Sequence, residues 1–63
     1  ALWQAVRGLG ESLRTVTVLF YYDDMPIKDI SRALGITEGT VKARLSRARA
    51  KLRIAMSERE ETL

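Results

Sequence analysis

The chain has 63 residues, with eleven Lys and Arg against eight Asp and Glu, a formal charge of +3, and neither cysteine nor histidine. So short a chain makes one domain, buries only roughly 60% of the surface its unfolded form exposes, and leaves no room for a catalytic cleft. Lack of cysteine and histidine removes disulfides, thiolate chemistry and the two commonest zinc ligands, and the longest apolar run, Val18 to Tyr22, falls far short of the roughly 20 residues of a membrane span.

The opening at Ala1, without methionine and already in a helical pattern, is expected of a piece of a longer protein. From Ala1 to about Leu9, the residues Leu2, Val6 and Leu9 share one stripe with Trp3 beside it, and Gly8 and Gly10 mark the end of a first helix. The next segment, Glu11 to about Tyr22, sets propensity against periodicity. Thr15 to Tyr22 is almost all β-branched or aromatic and on propensity favours a strand. Leu13, Val16, Leu19 or Phe20, and Asp23 follow helical spacing from an acidic first turn, and a lone strand in so small a chain has no partner. Periodicity predicts a helix.

Asp23 and Asp24 precede Pro26, a residue tolerated in a first helical turn because its missing N–H has no partner there. A third helix is predicted to Leu34, with Ile27, Ile30, Ala33 and Leu34 as its apolar positions and Asp29 at the positive end of the helix dipole. Gly35 can take the left-handed conformation that ends a helix, Ile36 can plug the corner, and Thr37 is a good N-cap. The fourth helix is predicted from Glu38 to about Ser57, roughly 30 Å long. Residues 58–63 form an acidic tail expected to fray.

Val41, Leu45, Ala48, Leu52 and Ala55 lie along one stripe of that fourth helix, a seam suited to burial. The opposite face carries Gly39, Ala43, Ser46 and Ala50, all small, with Lys42, Arg47 and Arg53 at its margins. Between Lys42 and Arg53 stand six cations and no acid, whereas the other 51 residues hold five cations against eight acids. A flat, small-residue face fringed by cations can enter a groove between two phosphate rows, where bulky side chains would block the approach.

Two helices joined by a short glycine-containing turn, the second of them basic, form a helix-turn-helix. Ile30 and Leu34 face Val41 and Leu45 across the turn. An ordinary helical hairpin would show the same glycine and stripes, but not the concentration of cations on the second helix. A basic helix lying on anionic lipid would need bulky hydrophobes where this stripe is half alanine. Asp23 with Asp24 has no third ligand and reads as a solvated loop before a helix rather than a metal or acid/base pair. Trp3, Phe20, Tyr21 and Tyr22 could stack on single-stranded bases, but their spacing favours the core or a protein-docking groove.

The run Ile30-Ser-Arg-Ala-Leu-Gly-Ile-Thr-Glu-Gly-Thr-Val-Lys-Ala-Arg-Leu-Ser-Arg-Ala-Arg-Ala-Lys-Leu-Arg53 resembles region 4 of bacterial RNA polymerase sigma factors, particularly the extracytoplasmic-function group. Leu19-Phe-Tyr-Tyr-Asp-Asp24 is similar to the end of that domain's second helix, so the resemblance covers about Leu9 to Arg53. Gly10 stands where the family commonly has proline and Pro26 where it has serine, departures that bear on helix boundaries rather than on the fold. Ser31 replaces a usual small alanine. Ala43 replaces a frequent serine, exchanging a base-edge hydrogen bond for contact with a thymine methyl.

The resemblance implies recognition of the −35 promoter element in double-stranded DNA, docking on the flap of the RNA polymerase β subunit, and control by anti-sigma proteins. The residues suggest a division of labour. Lys42, Ala43, Ser46 and Arg47 sit where a helix inserted by its N-terminal half meets base edges, with Arg47 suited to paired hydrogen bonds to guanine. Thr37, Thr40, Arg44 and Arg49 are placed for phosphates, and Lys51 and Arg53 lie further along. The expectation is thus an all-α, small four-helix domain with a C-terminal helix-turn-helix over residues 1–57. It needs no cofactor or metal, catalyses nothing, contacts no membrane and works in the cytoplasm. Two other readings compete: the output domain of a response regulator, and a module that chiefly grips a polymerase or anti-sigma helix through Trp3, Leu13, Val16 and Phe20.

Overall fold

The computed structural model describes residues 2–62, with side chains through Ser57. Among them, α1 (Leu2–Arg7), α2 (Glu11–Thr17), a π-helical turn (Val18–Tyr22), α3 (Ile27–Leu34) and α4 (Glu38–Thr62) follow one another, with no strand. The architecture is all-α, four helices ending in a helix-turn-helix.

In α1, Val6 and Leu9 beyond it turn inward, but Leu2, expected on the same stripe, is exposed. The helix has only six residues and stops at Gly8, whose N–H reaches the carbonyls of Gln4 and Ala5.

The contest between strand and helix over Thr15 to Tyr22 resolves as helix, with one departure. Thr15 donates its hydroxyl to the Glu11 carbonyl at 2.9 Å and Thr17 to that of Leu13 at 2.7 Å, which lets two β-branched hydroxyl residues sit mid-helix, one of them buried, without an unmet polar group. After Thr17 the ladder widens. The N–H of Asp23 reaches the Val18 carbonyl, five residues back, at 3.1 Å. Of the alternatives Leu19 and Phe20, both pack against the core. The turn closes at Asp24, whose φ of 54° lies in the left-handed region that Asp tolerates better than most residues.

Pro26 stands one position outside the expected first turn, as the N-cap of α3 with φ −65°, its carbonyl accepting from Asp29 and Ile30. At the other end Gly35 takes φ +66°. Ile36 donates its N–H to the Ser31 carbonyl at 3.1 Å, and the Ser31 hydroxyl donates back to the Ile36 carbonyl. The serine thereby ties the turn to the helix before it, which an alanine at this position would leave to backbone bonds alone. Thr37 caps α4 as expected, its hydroxyl oxygen accepting the Thr40 N–H at 3.1 Å and its carbonyl the Val41 N–H. The helix continues to Thr62, beyond the predicted Ser57. The fraying expected of 58–63 falls on residues whose side chains lie outside those described.

Packing follows from α4, which touches α1, α2 and α3 in turn. Its N-terminal half contributes Val41 and Leu45 to a cluster with Val16 and Ile30, against which Leu34 and Ile36 also pack. Its middle adds Ala48 and Leu52 to a second cluster with Leu9 and Leu13.

Two glycines separate conformational need from surface tolerance. Gly35→Ala meets no atom within 4 Å, so its cost is that of a left-handed alanine, about 1–2 kcal/mol. Gly39→Ala places its methyl 3.9 Å from the Thr37 hydroxyl in open helix and should stabilise by about 0.5–1 kcal/mol. Thermal melts followed by circular dichroism should shift in opposite directions; a Gly35→Ala protein melting at or above the parent would refute the turn geometry.

Candidate nucleic-acid interface

Burial of Val41, Leu45 and Ala48 sets the roll of α4 about its axis. At 100° per residue the far face must then present Gly39, Ala43, Ser46 and Ala50, and all four are exposed. Lys42, Arg47 and Arg53 stand exposed along the margins of this strip, as do Arg49 and Lys51. The result is a shallow ridge of small side chains between two lines of positive charge, free of bulky residues through its first three turns. Cations at both edges of one helix suit a groove bounded by two phosphate strands.

The structure gathers all eight residues expected to meet DNA on α4 and its cap. Thr37, Lys42, Ala43, Ser46, Arg47 and Arg49 are exposed, and Thr40 and Arg44 half-buried. Thr37 and Thr40 hydroxyls lie 2.9 Å apart. Whichever donates to the other, one hydroxyl hydrogen remains for an outside acceptor, and it sits at the positive end of α4. Arg44 shares a shallow cleft with Glu11, Ser12, Thr15 and Leu34, so its stem lies against α2 and α3. Arg49, on the opposite margin, donates its Nε–H to the Tyr21 hydroxyl oxygen at 2.8 Å. Nothing in the spacing of the sequence pairs residues 28 positions apart, and this contact was not foreseen.

The expected protein-docking set divides. Leu13 is 8% exposed and Val16 0%, so neither can touch a partner directly; both are core residues facing α4. Phe20 is half-buried against the core. Trp3 is 49% exposed, and Tyr21 and Tyr22 are 48% and 50% exposed, so of the two places expected for these rings, core or docking groove, they do not take the core. Trp3 meets Tyr22 edge to face at 5.5 Å, and Phe20 meets Tyr21 at 4.9 Å. Beside them runs an open groove of about 510 Å³ whose lining includes Leu2, Val6, Leu52 and Met56, with Arg49 and Arg53 also at its wall. Exposed aromatic and aliphatic surface of this kind is a usual mark of a protein contact.

No helix among the described residues is long and apolar enough to cross a membrane. The family model for sigma-70, region 4 matches residues 1–52. Among curated proteins the chain is similar to the RNA polymerase sigma-E factor of Streptomyces antibioticus, 37% identical over 94% of this chain and 33% of that protein. It is also similar to the ECF RNA polymerase sigma factor SigW of Bacillus subtilis, 42% identical over 79% of this chain and 27% of that protein. The sigma-E factor of Streptomyces coelicolor is 38% identical over 82% of this chain and 29% of its own length. The chain thus spans about a third of the relatives it matches. A family match over most of the chain, with relatives that are sigma factors, sets aside a response-regulator output domain. The chain belongs to the sigma-70 region 4 family, in its extracytoplasmic-function branch.

Proposed function

We propose that this chain is the promoter-reading domain of an RNA polymerase sigma factor, recognising the −35 element of double-stranded DNA through the exposed face of α4. The observation that supports it is the shallow strip of Gly39, Ala43, Ser46 and Ala50, open to solvent and edged by cations. In this reading Lys42, Ala43, Ser46 and Arg47 meet base edges, the methyl of Ala43 suiting a thymine methyl and the Arg47 fork suiting guanine. Thr37, Thr40, Arg44 and Arg49 hold the flanking phosphates, which set register without carrying sequence. The role is recognition alone, without a catalytic step, and it belongs in the cytoplasm with the polymerase.

Arg47→Ala should cost about 1–3 kcal/mol on promoter DNA and relax base preference, whereas Arg49→Ala should weaken promoter and scrambled duplexes alike. Anisotropy titrations of both variants on both duplexes decide it, and identical losses everywhere would remove the distinction between reading and anchoring.

With roughly four or five phosphates engaged, the logarithm of affinity should fall against the logarithm of salt with a slope of about −4. A flat salt titration rules out this mode of binding.

The exposed aromatics support a second surface on the same domain. Trp3, Tyr22 and the groove beside them are the seat proposed for the flap of the polymerase β subunit, and an anti-sigma protein would compete there. A single module of this kind buries on the order of 600–1,000 Å² on DNA, so the domain relies on the polymerase for the rest of its hold on the promoter. Trp3→Ala should weaken binding to core polymerase at least several-fold and leave duplex affinity unchanged, because an exposed side chain 49% open contributes little to folding. Loss of DNA binding with polymerase binding intact would reverse the assignment.

A further inference from the structure

The π turn delivers a side chain to the basic edge of α4. Tyr21, the fourth of its five residues, reaches across to Arg49, and its hydroxyl oxygen accepts the Nε–H at 2.8 Å. Both residues are exposed, so the bond competes with water and adds little to folding. Its consequence is geometric. A guanidinium carries five N–H donors in a rigid plane, and with Nε occupied the end-on pair of terminal nitrogens remains, the edge that takes two oxygens of one phosphate at once. A free arginine must lose its rotamer freedom when it meets a phosphate, whereas one already held has lost part of it. The ring is itself steadied, because Phe20 meets it edge to face at 4.9 Å while packing on the core.

We infer that Tyr21 is a positioning residue for DNA binding, holding the Arg49 guanidinium in the orientation in which it grips a phosphate. This rests on the proposed role of Arg49 as a phosphate ligand. Tyr21 therefore contributes to affinity without contributing to sequence choice, although it stands outside the helix-turn-helix.

The test is a double-mutant cycle of Tyr21→Phe and Arg49→Ala, titrated against a promoter duplex and a scrambled duplex of equal length, with thermal melts of each variant. Tyr21→Phe keeps the ring and removes only the hydroxyl. It should leave the melting temperature in place and weaken both duplexes by the same factor, roughly two- to tenfold for one arginine released to its full set of rotamers. In the Arg49→Ala background the same substitution should have no further effect. If Tyr21→Phe binds both duplexes as the parent does while Arg49→Ala weakens them, the positioning role is wrong and the phosphate role stands. If Tyr21→Phe costs as much without Arg49 as with it, the hydroxyl acts on its own and the proposal falls. Should Arg49→Ala change nothing, the proposal and the phosphate role of Arg49 fall together, while Arg47→Ala still judges whether α4 reads DNA.

Discussion

The burial of Val41 and Leu45 against Ile30 and Val16 is the constraint from which the proposed DNA-reading surface follows. A helix has one rotational freedom about its axis, and an apolar seam removes it. Once these side chains are inside, the residues half a turn away have no choice but to face solvent, and here they are Gly39, Ala43, Ser46 and Ala50. The turn before α4 sets the remaining freedoms. Gly35 at φ +66° lets the chain reverse, Ile36 packs into the corner, and the Ser31 hydroxyl and the Thr37 cap tie the turn to the helices on either side. A slip of one residue in that turn would roll α4 by about 100° and put the cations of its margin against the core.

Folding and recognition therefore draw on the same helix but on different residues of it. The seam needs apolar bulk at Val41 and Leu45, while the proposed DNA-reading strip needs its absence at Gly39 and Ala43. The whole of the chain's positive excess sits between Lys42 and Arg53, outside the core, where like charges repel at modest cost in water. Those clustered cations are a small liability in the free domain and would be an asset beside a polyanion, since each phosphate neutralised releases condensed counterions.

The parts of this arrangement that rest on local periodicity or on one residue's conformational preference were legible in the sequence. The seam on α4, the glycine turn, the threonine cap and the facing of Ile30 and Leu34 toward Val41 and Leu45 all belong to that class. What periodicity could not reveal is tertiary. Leu13 and Val16 looked equally suited to a partner and to the core, because an apolar stripe states that it is buried and not by what. For Trp3, Tyr21 and Tyr22 the spacing leaves core and docking groove both open; large rings are usually buried, but a domain this small has too little interior to enclose them. The π turn escaped because no residue type marks it; it is visible only in the doubt over whether Leu19 or Phe20 faces inward. Both do.

That turn places the aromatics where the two proposed surfaces meet. Tyr21 lines the groove with Leu52 and Met56 and holds Arg49 at the wall of the same groove. A regular α-helix through residue 21 would have carried the tyrosine along with a different phase, and the extra residue in the turn changes the direction in which its ring leaves the backbone. Anything seated in the groove would rest against the same tyrosine that steadies the arginine, so the proposed protein contact and the proposed grip on a phosphate would share one hydrogen bond. Coupling between two sites requires an element whose state both ligands favour, and a side chain that lines one site and is bonded to the arginine of the other is a short such element. If the groove's occupant leaves the Tyr21 hydroxyl on Arg49, the two bindings reinforce each other; if it draws the hydroxyl away, they oppose. The sign of the linkage is therefore set by what the occupant offers the tyrosine, an apolar side chain that packs on its ring or a carboxylate that competes for its arginine.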